Sequence, residues 1–574
     1  MNLKQYLETT ISAVLCKISG ETTCQALISY AKNPQFGDYQ ANGVMALAKR
    51  IGRNPRELGA AVLKELNLGP VVGKLELAGP GFINIFIDPQ FLCVQMNNSS
   101  HNRLVALAPN PNTVVIDYSS PNLAKEMHVG HLRGTIIGDA IARTLNYLGH
   151  KLIRHNHFGD WGTQFGMLIT YMQELPRGAE LNTQLADLES FYRAAKQRFD
   201  AEPAFAETAR QNVVRLQASD PDCLVMWQNF IKVSITHCQQ LYQRLNITLT
   251  EQDVVPESFY NKRLESVITT LKSRGLLTES AGALCVFLEG FKTREGEPQP
   301  LIVQKSGGGF LYATTDLAAV AYRCQELQAD RILYVVDARQ SLHFQQVFAA
   351  ARLSGLAASS CSLEHLSYGT MMGKDGKPFK TRSGDTIKLI DLCEESVERA
   401  FALVTSKNPD LPEHDRKKIA NVVGIAAVKY ADLCKNRNSD YIFDWDSMLS
   451  FEGNTAPYLL YAYARIRSIF RKAAFNPDTN NYTITLNAPA EIMLALKLLQ
   501  FTETVETLAQ DCLPNQLCLY LYELAGVYMK FYESCPVLKA EGAERESRLG
   551  LCHVTARTLH QGLELLGIST LEQM

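Results

Sequence analysis

The chain has 574 residues, of which 46% are hydrophobic and 20% charged, and its formal net charge is −2. This composition predicts a globular protein with several cores and excludes a disordered, highly charged chain. Because acidic and basic residues nearly cancel, the chain as a whole has no positive electrostatic field that would attract nucleic acid. A basic stripe on one face would still allow such a partner. No apolar run approaches the ~18 residues of a membrane span.

The N-terminus and the cysteines favour a cytoplasmic protein. The first apolar run is interrupted by Glu8 and Lys17, which is not typical of a signal peptide. The fourteen cysteines include no C-x-x-C pair, so we expect reduced core residues rather than a zinc ribbon.

The N-terminal segment, residues 1–108, has the pattern of a small α+β domain. Helical periodicity in LKQYLETTISAVLCKI and PRELGAAVLKEL is followed by two strand-like runs, KLELA and FINIFI, around the turn GPG. The polar run NNSSHNR and then PNPN predict its end.

Strands alternate with helices in the next segment. TVVIDYS, KLIRHNHFG, FLYATT and RILYVVDA are predicted strands, and helices follow the first, third and fourth of them. This alternation predicts a doubly wound, Rossmann-like parallel sheet over 109–400, with a helical insertion near 175–260. Residues 401–454 are predicted to be a helical connection, and 455–574 a helical bundle that carries Arg465, Arg467 and Arg471 beside tyrosines.

The loop SSPNLAKEMHVGHLRG follows the first strand of this sheet and precedes a helix. Its two histidines, His128 and His131, lie three residues apart around Gly130. Ligands bind at the carboxyl ends of the strands in such sheets, where helix N-termini hold anions. Histidines placed there can donate hydrogen bonds to a phosphate whose charge grows in a transition state.

Two other interpretations of this loop remain open from its residues alone. The histidines could simply cap or pack the helix. A zinc site is less favoured because no third ligand stands at a matching spacing. His155 and His157 share one face of the next strand and are expected to be wall or core residues.

Several motifs together closely resemble one family. SSPNLAKEMHVGHLRGTIIGDA and NHFGDWGTQFG are similar to motifs of class I arginyl-tRNA synthetases of the bacterial type. QFGDYQANG, GPGFINIF, GKDGKPFKTRSGDTIKL, VKYADLCKNRNSDYIFDWD and FEGNTAPYLLYAYARIRS follow in that family's order. The resemblance runs essentially end to end and implies an arginine–tRNA ligase that forms arginyl-adenylate and transfers arginine to tRNA.

The resemblance implies specific roles on the ATP side. His128 and His131 are expected to bind the ATP phosphates and to stabilise the transition state, with Gly130, Asp160 and Gln164 beside them. The family's signature motif corresponds here to Pro121, Asn122, Leu123, Ala124, Lys125, Glu126, Met127, His128, Val129, Gly130 and His131.

The second signature of class I enzymes, a lysine-rich loop, is degraded to GKPFKTRSGD. The charge that survives is on Lys377, Lys380 and Arg382. Relatives with such a loop carry a lysine just upstream of the histidines, and Lys125 occupies that place. We therefore expect Lys125, Lys380 and Arg382 to supply the catalytic cations.

The resemblance also assigns the arginine pocket. A guanidinium is a planar fork of donors, so carboxylate and neutral acceptors should select it. The positions that match the family are Asn122, Tyr312, Asp316 and Gln340, with Asp316 expected to pair with the guanidinium.

The implied ligands and partners are ATP with Mg²⁺, L-arginine and tRNA(Arg), with no zinc and no organic cofactor. The N-terminal domain should contact the outer corner of the tRNA and the C-terminal bundle its anticodon. The family favours a monomer and implies that arginine activation needs tRNA.

Two other functions were weighed against the synthetase. A nucleotidyltransferase could use the same histidine motif without tRNA, but it would be shorter and would leave both flanking domains without a purpose. A non-enzymatic RNA-binding paralogue would be expected to lose His128, His131 or Asp316, and all three are present.

Overall fold

The computed structural model describes the chain except residues 124, 176–187, 219, 380–386, 478 and 481, and the side chains of 188, 189 and 217. Within the described part, no helix is long and apolar enough to cross a membrane.

The N-terminal part is a four-stranded antiparallel sheet with helices packed on it. Its elements are α1 (Leu3–Ser19), β1 (Ile28–Tyr30), β2 (Tyr39–Ala41), α2 (Gly43–Ile51), α3 (Pro55–Glu65), β3 (Val72–Ala78), β4 (Phe82–Ile87) and α4 (Pro89–His101). The strand order is β1-β2-β4-β3. The two predicted helices and two predicted strands are confirmed. NNSSH forms the last turns of α4, and the boundary predicted at residue 108 follows this helix and stays a prediction.

The second part contains the following elements in chain order: β5 (Thr113–Asp117), α5 (Leu132–Tyr147), β6 (Lys151–His155), α6 (Thr163–Gln173), α7 (Leu188–Ala201), α8 (Pro203–Gln217), α9 (Pro221–Arg244), α10 (Leu264–Ser273), β7 (Leu277–Ser280), β8 (Ala283–Lys292), β9 (Pro298–Gln304), α11 (Tyr312–Ala321), β10 (Arg331–Tyr334), α12 (Ser341–Ser354), β11 (Ser362–His365), β12 (Met371–Met372), α13 (Leu389–Lys407), α14 (Glu413–Leu433), β13 (Tyr441–Ile442) and α15 (Trp445–Met448). The C-terminal bundle consists of α16 (Ala456–Ala473), α17 (Pro489–Leu499), α18 (Phe501–Asp511), α19 (Pro514–Ser534) and α20 (Gly542–Leu565).

A parallel sheet with the order β11-β10-β5-β6 forms the centre of the second part. All three neighbouring strand pairs are parallel, which confirms the predicted doubly wound sheet. The chain winds from β5 to β6 on one side and from β10 to β11 on the other. The order therefore reverses between β5 and β10, and the carboxyl ends of these two strands flank the crevice where such sheets bind ligands.

The predicted strand FLYATT is wrong. Leu311 is extended, but α11 begins at Tyr312 and continues through the alanine-rich residues that follow. The hydroxyl of Thr314 donates to the carbonyl oxygen of Val303, which fixes the start of α11 against β9. Asp316 consequently lies one turn inside the helix rather than at its opening, because the helical preference of the alanines outweighs the apolar run before them.

Helix α5 is buried along most of its length between the sheet and the rest of the protein. Gly138 permits its close approach to β5, since a Cβ there would lie 2.3 Å from the Cβ of Tyr118. At the start of the same helix, buried Arg133 pairs with Asp432 of α14 over 3.0 Å. The helix that follows the histidine loop is therefore held from two sides.

A buried carboxylate contributes to the docking of the N-terminal part on the C-terminal bundle. Glu503 of α18 accepts hydrogen bonds from the hydroxyls of Tyr30 and Tyr39, both 2.7 Å, and from the backbone N–H of Lys4 at 2.9 Å. Burial raises the pKa of Glu503. A buried carboxylate with several donors is a strong and directional contact.

We expect Glu503→Gln to loosen this docking, because an amide replaces one acceptor oxygen with a donor that faces donors. The loss should be ~1–3 kcal/mol. Hydrogen exchange followed by mass spectrometry should show faster exchange at the start of α1 and in β2. Glu533→Gln, an exposed glutamate of α19, is the matched control. Unchanged exchange in both variants would contradict a role of Glu503 in docking.

Candidate active site

A strained turn connects β5 to the histidine loop. Ser119 and Ser120 both adopt positive φ, 68° and 44°, which non-glycine residues rarely do. The hydroxyl of Ser120 donates to Asp117 over 2.7 Å, and its backbone N–H donates to the side chain of Asn156 over 3.0 Å. Local strain of this kind is maintained by surrounding contacts at functional sites. Here it turns the loop across the carboxyl ends of β5 and β6.

The two histidines form a mutual cap on a short 3-10 turn, Val129–His131. The backbone N–H of His128 donates to Nδ1 of His131 over 3.0 Å, and that of Gly130 donates to Nδ1 of His128 over 3.1 Å. The ring centroids are 3.9 Å apart. Because each Nδ1 is an acceptor, a neutral ring carries its proton on Nε2. The two histidines therefore cap the turn, as one of the open interpretations predicts.

His131 is neutral at physiological pH. Burial, and then the charge of His128, lower the pKa of His131 to about 3. Its ring therefore acts as a hydrogen-bond donor rather than as a cation, and the positive charge that a phosphate requires must come from elsewhere.

The flank of the second loop pairs with the histidine loop. The backbone N–H of Val129 donates to the carbonyl of Ile387, and that of Leu389 donates to the carbonyl of Met127, both over 3.0 Å. Lys388 forms an ion pair with Glu126, also 3.0 Å. Residues 387–389, which follow the second loop, therefore lie beside residues 127–129. Lys380 and Arg382, predicted as catalytic cations, lie outside the described residues, as does Ala124 of the signature.

Lys125 is exposed beside the histidines. Its Nζ lies 4.5 Å from the ring centroid of Tyr192 in α7, and its positive charge contributes to the lowered pKa of His131. A cation held on an aromatic face near a protein surface is weakly bound. Lys125 can therefore leave Tyr192 for a phosphate at small energetic cost.

The ends of three elements are joined by buried Arg323, which follows α11. Its guanidinium pairs with Asp117 at the end of β5 over 2.6 Å. It also donates to Nδ1 of His155 at the end of β6 over 3.2 Å. Burial, and then the charge of Arg323, lower the pKa of His155 to about 3. His155 is therefore a core residue, as predicted, and His157 contacts the ring of Tyr260 in the wall.

Carboxylates crowd together where the loop after β6 meets α11. Burial, and then the nearby carboxylates of Asp160 and Asp316, raise the pKa of Glu257 to about 8. Burial, and then the charge of Glu257, raise the pKa of Tyr312. We call Asp160, Glu257, Tyr312 and Asp316 the acidic pocket. Carboxylates that lie close together in this way would bind a cation favourably.

Glu257 and His343 were not predicted from the sequence. His343 of α12 contacts Asp316, with Nε2 2.6 Å from Oδ2. Glu257 is placed by its own backbone N–H, which donates to the carbonyl of Phe158 over 2.9 Å. Both residues come from segments far from their partners in sequence, and no motif marks them.

The two ATP candidates after β6 have different surroundings. Both carboxylate oxygens of Asp160 accept hydrogen bonds from Ser258, at 2.9 and 2.5 Å, so this side chain holds the segment that carries Glu257. Burial raises the pKa of Asp160 to about 6. The side-chain oxygen of Gln164 is buried and has no hydrogen-bond partner among the described residues. Buried acceptors are normally paired, so this oxygen is a candidate to accept a hydrogen bond from a ligand. Direct ATP contacts of either residue stay a prediction.

The remaining predicted arginine ligands border the same crevice. Asn122 forms a parallel β-bridge with Gly159, which joins the histidine loop to the loop after β6. Tyr312 is 68% exposed at the start of α11. Gln340 is exposed on the short turn Ala338–Gln340 that follows β10. These three residues thus lie on the carboxyl-edge loops of β5 and β10 and on α11.

The predicted basic residues of the bundle surround a groove. Arg465 and Arg471 line a cavity of about 750 Å³ between α14, α16 and the last residues of the chain. Arg467 pairs with Glu572 over 2.7 Å, and Arg471 donates to the carbonyl of the same residue. The guanidinium of Arg465 lies over the ring of Tyr532. The groove therefore combines cations, aromatic rings and the chain's own C-terminus.

Three family models match the chain in sequence. Residues 2–87 match the arginyl tRNA synthetase N terminal domain, and residues 94–445 match the catalytic domain of class I (R) tRNA synthetases. Residues 459–574 match the DALR anticodon binding domain.

Full-length relatives agree with these matches. The chain is 53% identical to an arginine–tRNA ligase of Marinomonas sp. and 54% identical to that of Hahella chejuensis, with 100% of each chain covered. Its fold is similar to the crystal structure of Plasmodium falciparum arginyl-tRNA synthetase, with a TM-score of 0.87 at 32% identity over 100% of this chain and 99% of the other. The Thermus thermophilus enzyme gives 0.84 at 26% identity, with 100% of both chains covered. The chain therefore belongs to the bacterial class I arginyl-tRNA synthetases, the ligases that use ATP to attach arginine to tRNA.

Proposed function

We propose that the acidic pocket selects arginine. The carboxylates of Asp316 and Glu257 would accept the guanidinium fork, with the Tyr312 hydroxyl beside them. The raised pKa of Glu257, caused first by burial and then by the nearby carboxylates of Asp160 and Asp316, is the observation that carries this proposal, because a bound cation would stabilise the ionised carboxylate. Arginine supplies that cation, and neutral or shorter amino acids leave the carboxylates uncompensated. Asn122 and Gln340 are the further ligands proposed for arginine.

ATP is proposed to bind along the histidine loop as its magnesium complex. Nε2–H of His128 and of His131 would donate to phosphate oxygens, with Gly130 allowing close approach and Gln164 contributing its unpaired acceptor. The arginine carboxylate attacks the α-phosphate, and the bond to pyrophosphate breaks. This in-line displacement needs positioning and charge stabilisation more than covalent help from the protein.

The cation for this step is proposed to come from Lys125, together with Lys380 and Arg382 of the second loop. The backbone pairing of 127–129 with 387–389 supports the idea that both loops reach the same phosphates. His131 is neutral, so the histidine loop cannot supply this charge through that ring. A positioned cation near the departing pyrophosphate stabilises the transition state.

The tRNA is proposed to span all three parts of the chain. Residues 1–108 would contact its outer corner, 109–400 its 3′ end, and 455–574 its anticodon, with 401–454 as the connection. The groove of about 750 Å³ supports the last assignment, since unpaired bases stack on aromatic rings while arginines meet phosphates. A monomer working in the cytoplasm, with tRNA needed for arginine activation, completes this proposal.

The Asp316→Asn variant tests the arginine pocket, with attachment of labelled arginine to tRNA as the assay. The change removes one charge and keeps the shape, so kcat/KM for arginine should fall by the equivalent of ~2–4 kcal/mol. The KM for ATP should stay nearly unchanged. Glu279→Gln, an exposed carboxylate of β7, is the control and should behave as wild type. Equal weakening toward arginine and ATP would mean that Asp316 is structural.

Lys125→Ala tests the cation on the ATP side. Pyrophosphate exchange with tRNA present should slow by ~100-fold or more, the scale of one lost transition-state contact. Ground-state ATP binding should change much less, because the contact strengthens as pyrophosphate leaves. Lys151→Ala is the matched control, because Lys151 lies at the amino end of β6, away from the carboxyl ends of the strands. A Lys125→Ala enzyme that exchanges at the wild-type rate would return the role to Lys380 or Arg382.

A further inference from the structure

Two cysteines lie in contact behind the arginine pocket. The Sγ atoms of Cys324 and Cys361 are 3.4 Å apart, although Cys324 follows α11 and Cys361 immediately precedes β11. A disulfide requires about 2.05 Å between the sulfurs. A small shift of one side chain would therefore bring the two sulfurs to bonding distance.

The surroundings give the two thiols different character. Cys324 donates to the sulfur of Cys361, and this hydrogen bond, with the nearby guanidinium of Arg352, lowers the pKa of Cys361. Arg352 is fixed there by its bonds to the carbonyls of Ala358 and Cys361. The hydrogen bond to Cys361 raises the pKa of Cys324. A thiol of lowered pKa in contact with a thiol of raised pKa is the arrangement of an attacking and a resolving cysteine.

Access to the pair selects for a small oxidant. Cys324 is 9% exposed and Cys361 3%, so we expect a small oxidant such as hydrogen peroxide to reach the sulfurs more easily than a bulky tripeptide disulfide. A surface cavity of about 220 Å³ adjoins the same segment and is lined in part by Tyr322, Gln325 and Leu356.

We propose that Cys324 and Cys361 are a peroxide-reactive pair whose disulfide weakens arginine binding. The Cys361 thiolate attacks one oxygen of hydrogen peroxide, the O–O bond breaks, and the departing hydroxide takes a proton to become water. Cys324 then attacks the sulfenic sulfur of Cys361, the S–O bond breaks, and a second water leaves. Two thiols are oxidised to one disulfide while one peroxide is reduced to two waters.

The link to the active site is the turn that contains Cys324. Residues Tyr322–Glu326 form a π-helical turn that continues α11, and π-turns often occur at functional sites. Arg323 in this turn carries the ion pair to Asp117, and α11 carries Tyr312 and Asp316. Drawing Cys324 toward Cys361 would shift these groups. This part of the inference rests on the proposed arginine pocket.

Peptide mapping of the full-length protein tests the chemistry directly. Reduced protein is treated with limiting hydrogen peroxide, remaining thiols are alkylated, and digests are analysed by mass spectrometry without reduction. We expect a Cys324–Cys361 crosslink in wild type and in Cys93→Ser, a half-exposed control, and none with glutathione disulfide. In Cys324→Ser, a sulfenic-acid trap should label Cys361. Absence of the crosslink from peroxide-treated wild type would overturn the proposal.

Charging kinetics on the same samples test the consequence. The disulfide should raise KM for arginine by roughly three- to tenfold, the scale of a small shift in binding groups, with KM for ATP unchanged and full recovery after dithiothreitol. An oxidised enzyme with unaltered KM would refute the effect on arginine binding. A reduced enzyme that charges no arginine would instead refute the proposed function, since the crosslink is measured independently of activity.

Discussion

The buried ion pair between Arg323 and Asp117 holds the two halves of the site in one geometry. Asp117 ends the strand before the histidine loop, and Arg323 ends the helix that carries Asp316. His155, at the end of the neighbouring strand, accepts from the same guanidinium. Loss of one partner would leave an uncompensated buried charge, which is strongly destabilising. This contact in the core therefore helps to set the distance between the proposed ATP and arginine sites.

The histidine motif combines two roles that the sequence presented as alternatives. Each Nδ1 caps the short turn, and this same cap directs the proton of a neutral ring to Nε2. Burial keeps His131 uncharged, so this histidine contributes hydrogen-bond geometry and any positive charge must come from other residues. In the proposed mechanism, the preorganised turn supplies hydrogen-bond donors and the lysines supply the charge that stabilises the phosphate. This separation of hydrogen-bond donors from cations suits a reaction in which negative charge develops on the phosphate in the transition state.

Regular periodicity made the sheet, α5 and the anion loop predictable, and the motifs identified the family. Three features were beyond the sequence, for physical reasons. The strand predicted at FLYATT is loop and helix, because the alanines that follow decide the local conformation. Glu257 and His343 join the pocket through contacts between distant segments. The hydrogen bonds from Ser258 to both oxygens of Asp160 likewise join segments distant in sequence, and no motif marks them.

The central claim is that the carboxylates of the acidic pocket bind the guanidinium of arginine. The number of protons released when arginine binds tests this claim most directly. Glu257 has a pKa raised to about 8, so it is mostly protonated near neutrality, and a bound guanidinium favours its ionised form. Calorimetry in buffers of different ionisation enthalpy should show release approaching one proton per arginine at about pH 7. Arginine affinity should rise with pH up to about 8 and then level off, and Glu257→Gln should abolish both effects. Arginine binding by the wild type without proton release and without pH dependence would contradict this account.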